Sequence, residues 1–402
     1  MTINDVSCYN EISMMPPYPI PKAAAILMTL LEDKGFEAYI IGGFVRDLLL
    51  GRFGGDIDMA TNASTQQMIE LFKDYPLSKI GEKLGTIGVK IMDQWIEITT
   101  YRSEGTSSNY RHPDEVRFIG SLKDDVFRRD FTINALAINI YGDLIDYTDG
   151  CIDLKKRQIK AIGHPEDRFQ EDALRILRAL RFSVQLGFTI EDKTSLAMIK
   201  SQDLIKTLPI ERISVEFDKL IQSQHLEPLF KNYPELLKIC IDFDPTHIQH
   251  IEQFSDKGLR YLCLLNHMNA EKIQNQLTHL KHPKSFVLKV SLLKILSEIK
   301  TQDRYTMKTL LGGYGKELVL LVLEYQKTLG MDGIDPLLMT ELIKEDPCVS
   351  LKDLAINGDD LLKMDHQGKT IKVILNQLLE LVMKDEIKND KASLSQAVSR
   401  LS

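Results

Sequence analysis

Asp56 and Asp58 are the residues in this chain whose type and spacing most clearly point to chemistry. They lie in the run Gly42-Gly43-Phe44-Val45-Arg46-Asp47-Leu48-Leu49-Leu50-Gly51-Arg52-Phe53-Gly54-Gly55-Asp56-Ile57-Asp58-Met59-Ala60-Thr61. Carboxylates two residues apart on a strand project from one face, where their oxygens can hold a hard cation such as Mg²⁺. Upstream, Ala38–Ile41 is short and apolar and reads as a buried strand. Gly42-Gly43 then allows a tight turn and close approach of backbone N–H groups to a ligand. Residues 44–50 read as a short helix stopped by Gly51. A strand, a glycine turn and a helix make a cradle for phosphate. Cradle and paired acids together suit metal-dependent nucleotidyl transfer. The spacing alone is weak: Asp242-Phe243-Asp244 repeats it before Pro245, with no glycine turn, and reads as a surface loop.

The surrounding elements must position these acids. Residues 22–34 form an amphipathic helix ended by Gly35, and Ser64 is placed to cap a helix running to Asp74. Residues 77–101 read as two strands, the first through Ile80–Val89 and the second Trp95–Tyr101. Glu97 lies within the second strand, where it is either an edge-strand charge or a third carboxylate beside Asp56 and Asp58. Residues 102–117 are polar and Gly/Ser-rich and read as a mobile loop. Arg128-Arg129-Asp130-Phe131-Thr132-Ile133-Asn134-Ala135 precedes an apolar strand, 136–141, and could bind a triphosphate and a ribose. Asp146–Gly150 is a turn, and from about residue 156 the pattern is helical almost throughout.

Glu171–Phe182 reads as a helix with Ala173, Ile176, Leu177, Leu180 and Val184 on one arc and Asp172, Arg175, Arg178 and Arg181 across the other. An Asp beside an Arg offers an acceptor and a donor fork, which can pair with the edge of a base. A solvated Asp172–Arg175 ion pair is the plainer alternative.

The 402 residues suffice for two or three domains with a sizeable core. Five scattered cysteines without a Cys-x-x-Cys indicate reduced thiols, hence a cytoplasmic protein, and argue against a zinc site or disulfide framework. No apolar run reaches about 20 residues, so no membrane span is expected. The net charge of −7 does not favour a nucleic-acid partner, yet residues 155–181 carry eight Lys/Arg against four acids, a local +4.

The chain resembles the bacterial class II tRNA nucleotidyltransferases, the CCA-adding enzymes, and the related bacterial poly(A) polymerases. The likeness runs through Gly-Gly-x-Val-Arg-Asp…Asp-x-Asp-x-Ala-Thr (42–61), Arg-Arg-Asp-Phe-Thr-x-Asn-Ala (128–135), Asp-x-x-x-Gly-x-x-Asp-Leu (146–154), Glu-Asp-x-Leu-Arg-x-x-Arg-x-x-Arg-Phe (171–182) and Glu-Arg-Ile…Glu (211–216). Residues 356–361 with Gly368 look like the tail of the short Gram-positive type.

The resemblance implies an α+β fold: an N-terminal nucleotidyltransferase palm, a mixed sheet with helices, followed by an all-α neck, body and tail. The expected divisions are a leader (1–21), head (22–154), neck (155–225), body (226–300) and tail (301–402). It further implies that Asp56 and Asp58 hold catalytic Mg²⁺; Glu97, from its place on the strand, stays the candidate third catalytic acid. Gly43 and Arg46 would hold the incoming nucleotide, Arg129 its phosphate or sugar, and Asp172 and Arg175 its base. Arg178 and Arg181 would contact its phosphates, and Gly42, Asp130, Asn134 and Glu171 would support them. The partners implied are the tRNA 3′ end, CTP and ATP, with the oligomeric state open, a homodimer included.

The segment 102–113 departs from the family pattern, with Ser107, Asn109 and His112 in place of Tyr, Asp and Arg. In this family that loop is implicated in the change from adding C to adding A. A poly(A) polymerase, a partial CC- or A-adding enzyme and a non-catalytic RNA-binding module are the rival readings.

Overall fold

Local signals act where the sequence puts them. Ser64 accepts from Gln67 N while the Gln67 side chain accepts from Ser64 N, the capping box that starts a helix. Asp146 accepts from the N–H groups of Thr148, Gly150 and Cys151 and fixes the turn expected there. The computed structural model describes residues 17–104, 116–118 and 120–401. It divides into two units, residues 1–240 and 241–402.

The first unit opens with α1 (Lys22–Glu32), β1 (Ala38–Ile41), α2 (Gly43–Leu49), β2 (Ile57–Thr61), α3 (Thr65–Leu71), β3 (Leu77–Ser78), β4 (Thr86–Ile91) and β5 (Gln94–Thr100). Then come β6 (Arg102–Glu104), β7 (Val116–Phe118), α4 (Leu122–Phe127), β8 (Ala137–Ile138), β9 (Leu144–Ile145) and α5 (Gly150–Lys155). Seven strands form a mixed sheet in the order β3-β4-β5-β2-β1-β8-β9, in which β2 and β5 pair in parallel and the other neighbours are antiparallel. Ile41, Ala60, Tyr101, Val126, Ala135 and Ala137 share a core cluster that joins this sheet to α4. The expected α+β fold, a mixed sheet with helices followed by helices, is thus present.

Four boundaries differ from expectation. Ile80–Gly85 is not strand: Glu82–Leu84 is a 3₁₀ turn closed by Gly85 at φ +80°, and β4 begins only at Thr86. The ends of the segment read as a loop pair as β6 and β7, while residues 105–115, with most of the altered 102–113 pattern, lie outside the described residues, as do 1–16 of the leader. The strand read over 136–141 shrinks to two residues, because Asn139 turns the chain by accepting from Tyr141 N and Asp143 N. The helix read over 171–182 is broken.

That break lies between α6 (Pro165–Glu171) and α7 (Leu174–Leu186), which follow β10 (Gln158–Ile159). Asp172 is extended (φ −149°, ψ 105°) and its carboxylate accepts from Leu174 N. An Asp that satisfies its own backbone competes with helix continuation. β11 (Thr189–Ile190), α8 (Asp192–Lys200), α9 (Ile210–Ile221), α10 (Leu226–Asn232) and α11 (Pro234–Cys240) complete the unit.

In the second unit the described residues are helical apart from connecting turns. Its longest helix, Arg304–Thr328, is interrupted at Gly315 (φ +79°). A second core there gathers Ile356, Leu361, Ile374, Leu378, Leu394 and Val398. No helix among the described residues is long and apolar enough to cross a membrane.

Candidate active site

A cavity of about 420 Å³ in the first unit is lined by Gly42, Gly43, Arg46, Asp58, Arg129 and Asn134 on the sheet side and by Asp172, Arg175, Arg178, Arg181 and Arg212 on the helical side. Most of the residues singled out in the sequence meet here, although more than a hundred positions separate them; Asp56, Glu97 and Glu171 do not line this cavity. Gly42 takes φ +84°, a conformation that disfavours any side chain, and a Cβ there would stand 3.8 Å from both Arg129 Nη1 and Asp58 Oδ2. The bare glycine keeps the floor open between an arginine and an acid.

The arginines are held by buried acceptors. Asp125, fully buried, accepts from Arg128 Nε and Nη2 through Oδ1 and from Arg129 Nε and Nη2 through Oδ2. One carboxylate thereby fixes two guanidinium groups. Burial alone would raise the Asp125 carboxyl, but the flanking Arg129 and Arg128 hold it below its ordinary range. Burial pushes the Arg128 guanidinium down to about 10, against the pull of Asp125. On the other wall Arg46 donates to Asn134 Oδ1 at 2.7 Å and grips Asp47 at 2.9 and 3.0 Å. Asn134 donates to Asp130, which also accepts from Arg178 Nε at 2.7 Å. Asp130 in turn raises the Arg178 guanidinium. The Arg46–Asn134–Asp130–Arg178 chain links the sheet wall to α7. Phe182 stands among the cations, with its ring centroid 5.3 Å from Arg46, 5.3 Å from Arg178 and 4.2 Å from Arg181. Arg181 pairs with Glu216 of α9 at 2.7 Å.

The acids are placed differently. Asp58 lies in β2, exposed, between buried Ile57 and Met59. Glu97 is its register partner across the parallel β2–β5 pair, on an interior strand of the sheet. The edge-strand alternative therefore fails, and Glu97 is a carboxylate adjoining Asp58. Partial burial first and Glu97 second push the Asp58 carboxyl up to about 6; Arg129 opposes them and Asp56 adds to them. Asp56 immediately precedes β2, after Gly54 and Gly55 at φ +102° and +121°.

Acids that repel one another in this way are a donor set for a divalent cation. Among the described residues no three His, Cys, Asp or Glu come together as a metal-binding group.

Residues 38–160 match the family model "Poly A polymerase head domain", 187–236 the model "Probable RNA and SrmB- binding site of polymerase A", and 252–398 a model of tRNA nucleotidyltransferase domain 2. The CCA-adding enzyme of Lactococcus lactis is 34% identical over 399 residues, 96% of this chain and 98% of that protein. That of Staphylococcus saprophyticus is 34% identical, covering 94% and 98%. The chain belongs to the CCA-adding enzymes, a family of tRNA nucleotidyltransferases.

Its fold superposes on the Bacillus stearothermophilus CCA-adding enzyme solved in complex with CTP, with TM-score 0.80 and 27% identity over 96% of this chain and 98% of that one. A tRNA nucleotidyltransferase solved with a primer tRNA and an incoming ATP analog gives TM-score 0.62 and 26% identity over 75% and 95%.

Within this CCA-adding fold the Asp172–Arg175 pairing imagined on one helix does not form. Arg175 is buried and donates to Glu171 at 2.6 Å and to the carbonyls of Arg168 and Arg128. Asp172, in the break, accepts from Arg212 Nη2 at 2.8 Å. Both still line the cavity, as partners of other residues. The plainer alternative of a solvated Asp172–Arg175 pair fails too, since Arg175 and Arg181 are both buried.

Sequence reading missed Asp125, Arg212, Glu216 and Phe182 as site residues. Arg212 and Glu216 stood in the quoted 211–216 motif and Phe182 ended another, a usable signal. Asp125 had none.

Proposed function

We propose that this chain adds and repairs the 3′-terminal CCA of tRNA in the cytoplasm, from CTP and ATP and without a nucleic-acid template. The observation that carries this is one cavity lined by Arg46, Arg129, Arg178, Arg181 and Asp58, with Gly42 between Arg129 and Asp58. Clustered, pre-aimed guanidinium groups suit a triphosphate, and the acids beside them suit the metal that accompanies it. The named partners of the similar proteins, CTP, an ATP analog and a primer tRNA, support the same substrates here.

In this reading the tRNA 3′-hydroxyl attacks the α-phosphorus of the nucleotide, the bond to the β-phosphate oxygen breaks, and pyrophosphate leaves. Asp56 and Asp58 would hold Mg²⁺, with Glu97 adjoining, and metal bound there would supply activation of the hydroxyl and charge neutralisation at the leaving group. Gly43 and Arg46 seat the nucleotide, while Arg129 orients its phosphate or sugar from its Asp125 clamp. Arg178 and Arg181 contact phosphates. Asp172 accepts from the exocyclic amine, and Arg175 donates to the neighbouring ring acceptor. C and A both offer an amine beside an acceptor; U and G present a carbonyl there instead.

The chain's head, neck, body and tail follow the expected divisions in this reading, with the helical body and tail carrying the tRNA. Incubation with tRNAs ending at the discriminator base, at −C and at −CC, with each labelled nucleotide in turn, tests the function. Addition of C, C and then A is expected. A run of A on any RNA identifies a poly(A) polymerase, arrest after CC or a need for CC-ended tRNA identifies a partial enzyme, and RNA binding without extension leaves only a binding module.

A further inference from the structure

Trp95 is the chain's only tryptophan, and it is 49% exposed. It lies in β5 two residues before Glu97, and exposed Trp95 and Glu97 alternate with buried Ile96 and Ile98, so both side chains rise from one face. In the β4–β5 ladder Gly88 is paired with Glu97 and Lys90 with Trp95, which sets Gly88 diagonally across from the indole. A Cβ on Gly88 would stand 3.4 Å from Trp95 Cε3. The missing side chain gives the indole room to rest against the strand. Around it opens a cavity of about 530 Å³ whose rim carries Ile80, 98% exposed, and Leu84, 44% exposed. Packing on Gly88 accounts for one side of the ring; it does not account for an open indole beside two exposed aliphatic side chains, a patch of the kind that marks a binding surface.

Its position relative to the chemistry names the occupant. In the sheet β2 stands between β1 and β5. The arginine cavity lies on the β1 and α2 side of Asp58, while the indole cavity lies on the β5 and β4 side and includes Glu97, the register partner of Asp58. Phosphoryl transfer runs with attacking and leaving oxygens roughly in line. With the triphosphate among the arginines, the strand bearing the attacking hydroxyl reaches the acids from the β5 side.

We propose that the indole of Trp95 is the platform on which the 3′-terminal base of the acceptor tRNA stacks, setting its hydroxyl toward Asp58. This rests on the functional reading above. Aromatic stacking accepts every base because each has a π-face, which fits an acceptor end whose last base changes as the product grows.

A lone tryptophan makes native fluorescence a single-site report. The full chain is titrated, without nucleotide, with tRNA ending in CC, with the same tRNA trimmed back into its acceptor stem, and with CTP alone. Strong quenching by the first and little by the other two is expected. Trp95→Ala should raise KM for tRNA roughly 10-fold, within the ~5–150-fold that loss of one base stack represents, while KM for CTP stays within about twofold and Trp95→Phe restores most of the loss. Circular dichroism guards against a misfolded alanine variant, and the wild-type titration needs no variant. If a tRNA that the protein extends leaves the fluorescence unchanged, or Trp95→Ala extends it with unaltered KM, the indole only covers Gly88 and the proposal falls. Quenching by CTP alone overturns it by placing the incoming base there. Failure to extend any tRNA overturns the functional reading itself, and is seen separately.

Discussion

Asp56-Ile57-Asp58 and Asp242-Phe243-Asp244 share one spacing and opposite surroundings. Asp244 is occupied: its Oδ1 accepts from Thr246 N at 2.9 Å and from the Thr246 hydroxyl, starting the Pro245–His247 turn, and these bonds lower its pKa. Asp58 faces other acids, and its pKa is raised to about 6 by partial burial and then Glu97. A carboxylate that is hydrogen-bonded locally stabilises a turn. A carboxylate kept near other carboxylates is uncomfortable alone and is relieved by a cation. The direction of the pKa separates the two uses where the spacing does not.

The largest break in that comparison is in activity. Asp58→Ala or Asp56→Ala should lower both C and A addition on the order of a thousandfold and leave tRNA binding near normal; Asp242→Ala with Asp244→Ala should change neither. Single-turnover extension and a filter-binding assay read both. An Asp58→Ala variant with near-normal activity would end the metal assignment.

A smaller effect tests whether surroundings also decide the use of Asp172. Its carboxylate is steadied by Arg212, so Asp172→Ala should admit U and G, lowering selectivity for C and A by roughly 5- to 150-fold with metal dependence unchanged. Loss of activity with selectivity intact would make Asp172 an end-of-helix residue that only holds α9 in place.

Stability should move the opposite way to activity at Asp58. Its folded pKa lies above the ordinary value, so the folded state is penalised as pH rises from about 4 through 6. Asp58→Asn should therefore melt about 1–2 °C above wild type at pH 7.5 without added metal, with the gap closing below pH 4. A melting point lowered at pH 7.5 would contradict the repulsion.

The smallest effect belongs to Asp244, whose pKa is lowered. Asp244→Ala should cost about 0.5 kcal/mol at neutral pH, a cost that fades as wild-type Asp244 is protonated through its depressed folded pKa. Denaturant melts at pH 7 and pH 3 measure it.

The sequence by itself determined the strand–glycine–helix entry, the Ser64 cap and the Asp146 turn, because each depends on backbone preferences and hydrogen bonds within a few residues; the fold class followed from the family resemblance. It also determined which residues gather at the site, since their types and order are a family pattern. What it could not supply was pairing. Arg175 chose Glu171, Asp172 chose Arg212, Arg129 chose Asp125, and Glu97 came to lie beside Asp58. Burial makes an unpaired charge costly, so each guanidinium is steadied by an acceptor that the packed chain brings near. Strand register is likewise settled by which faces are buried together. Arg175–Glu171 and Arg129–Asp125 lie four residues apart, but Asp172–Arg212 and Glu97–Asp58 join elements about 40 residues apart, and only the tertiary structure decides those.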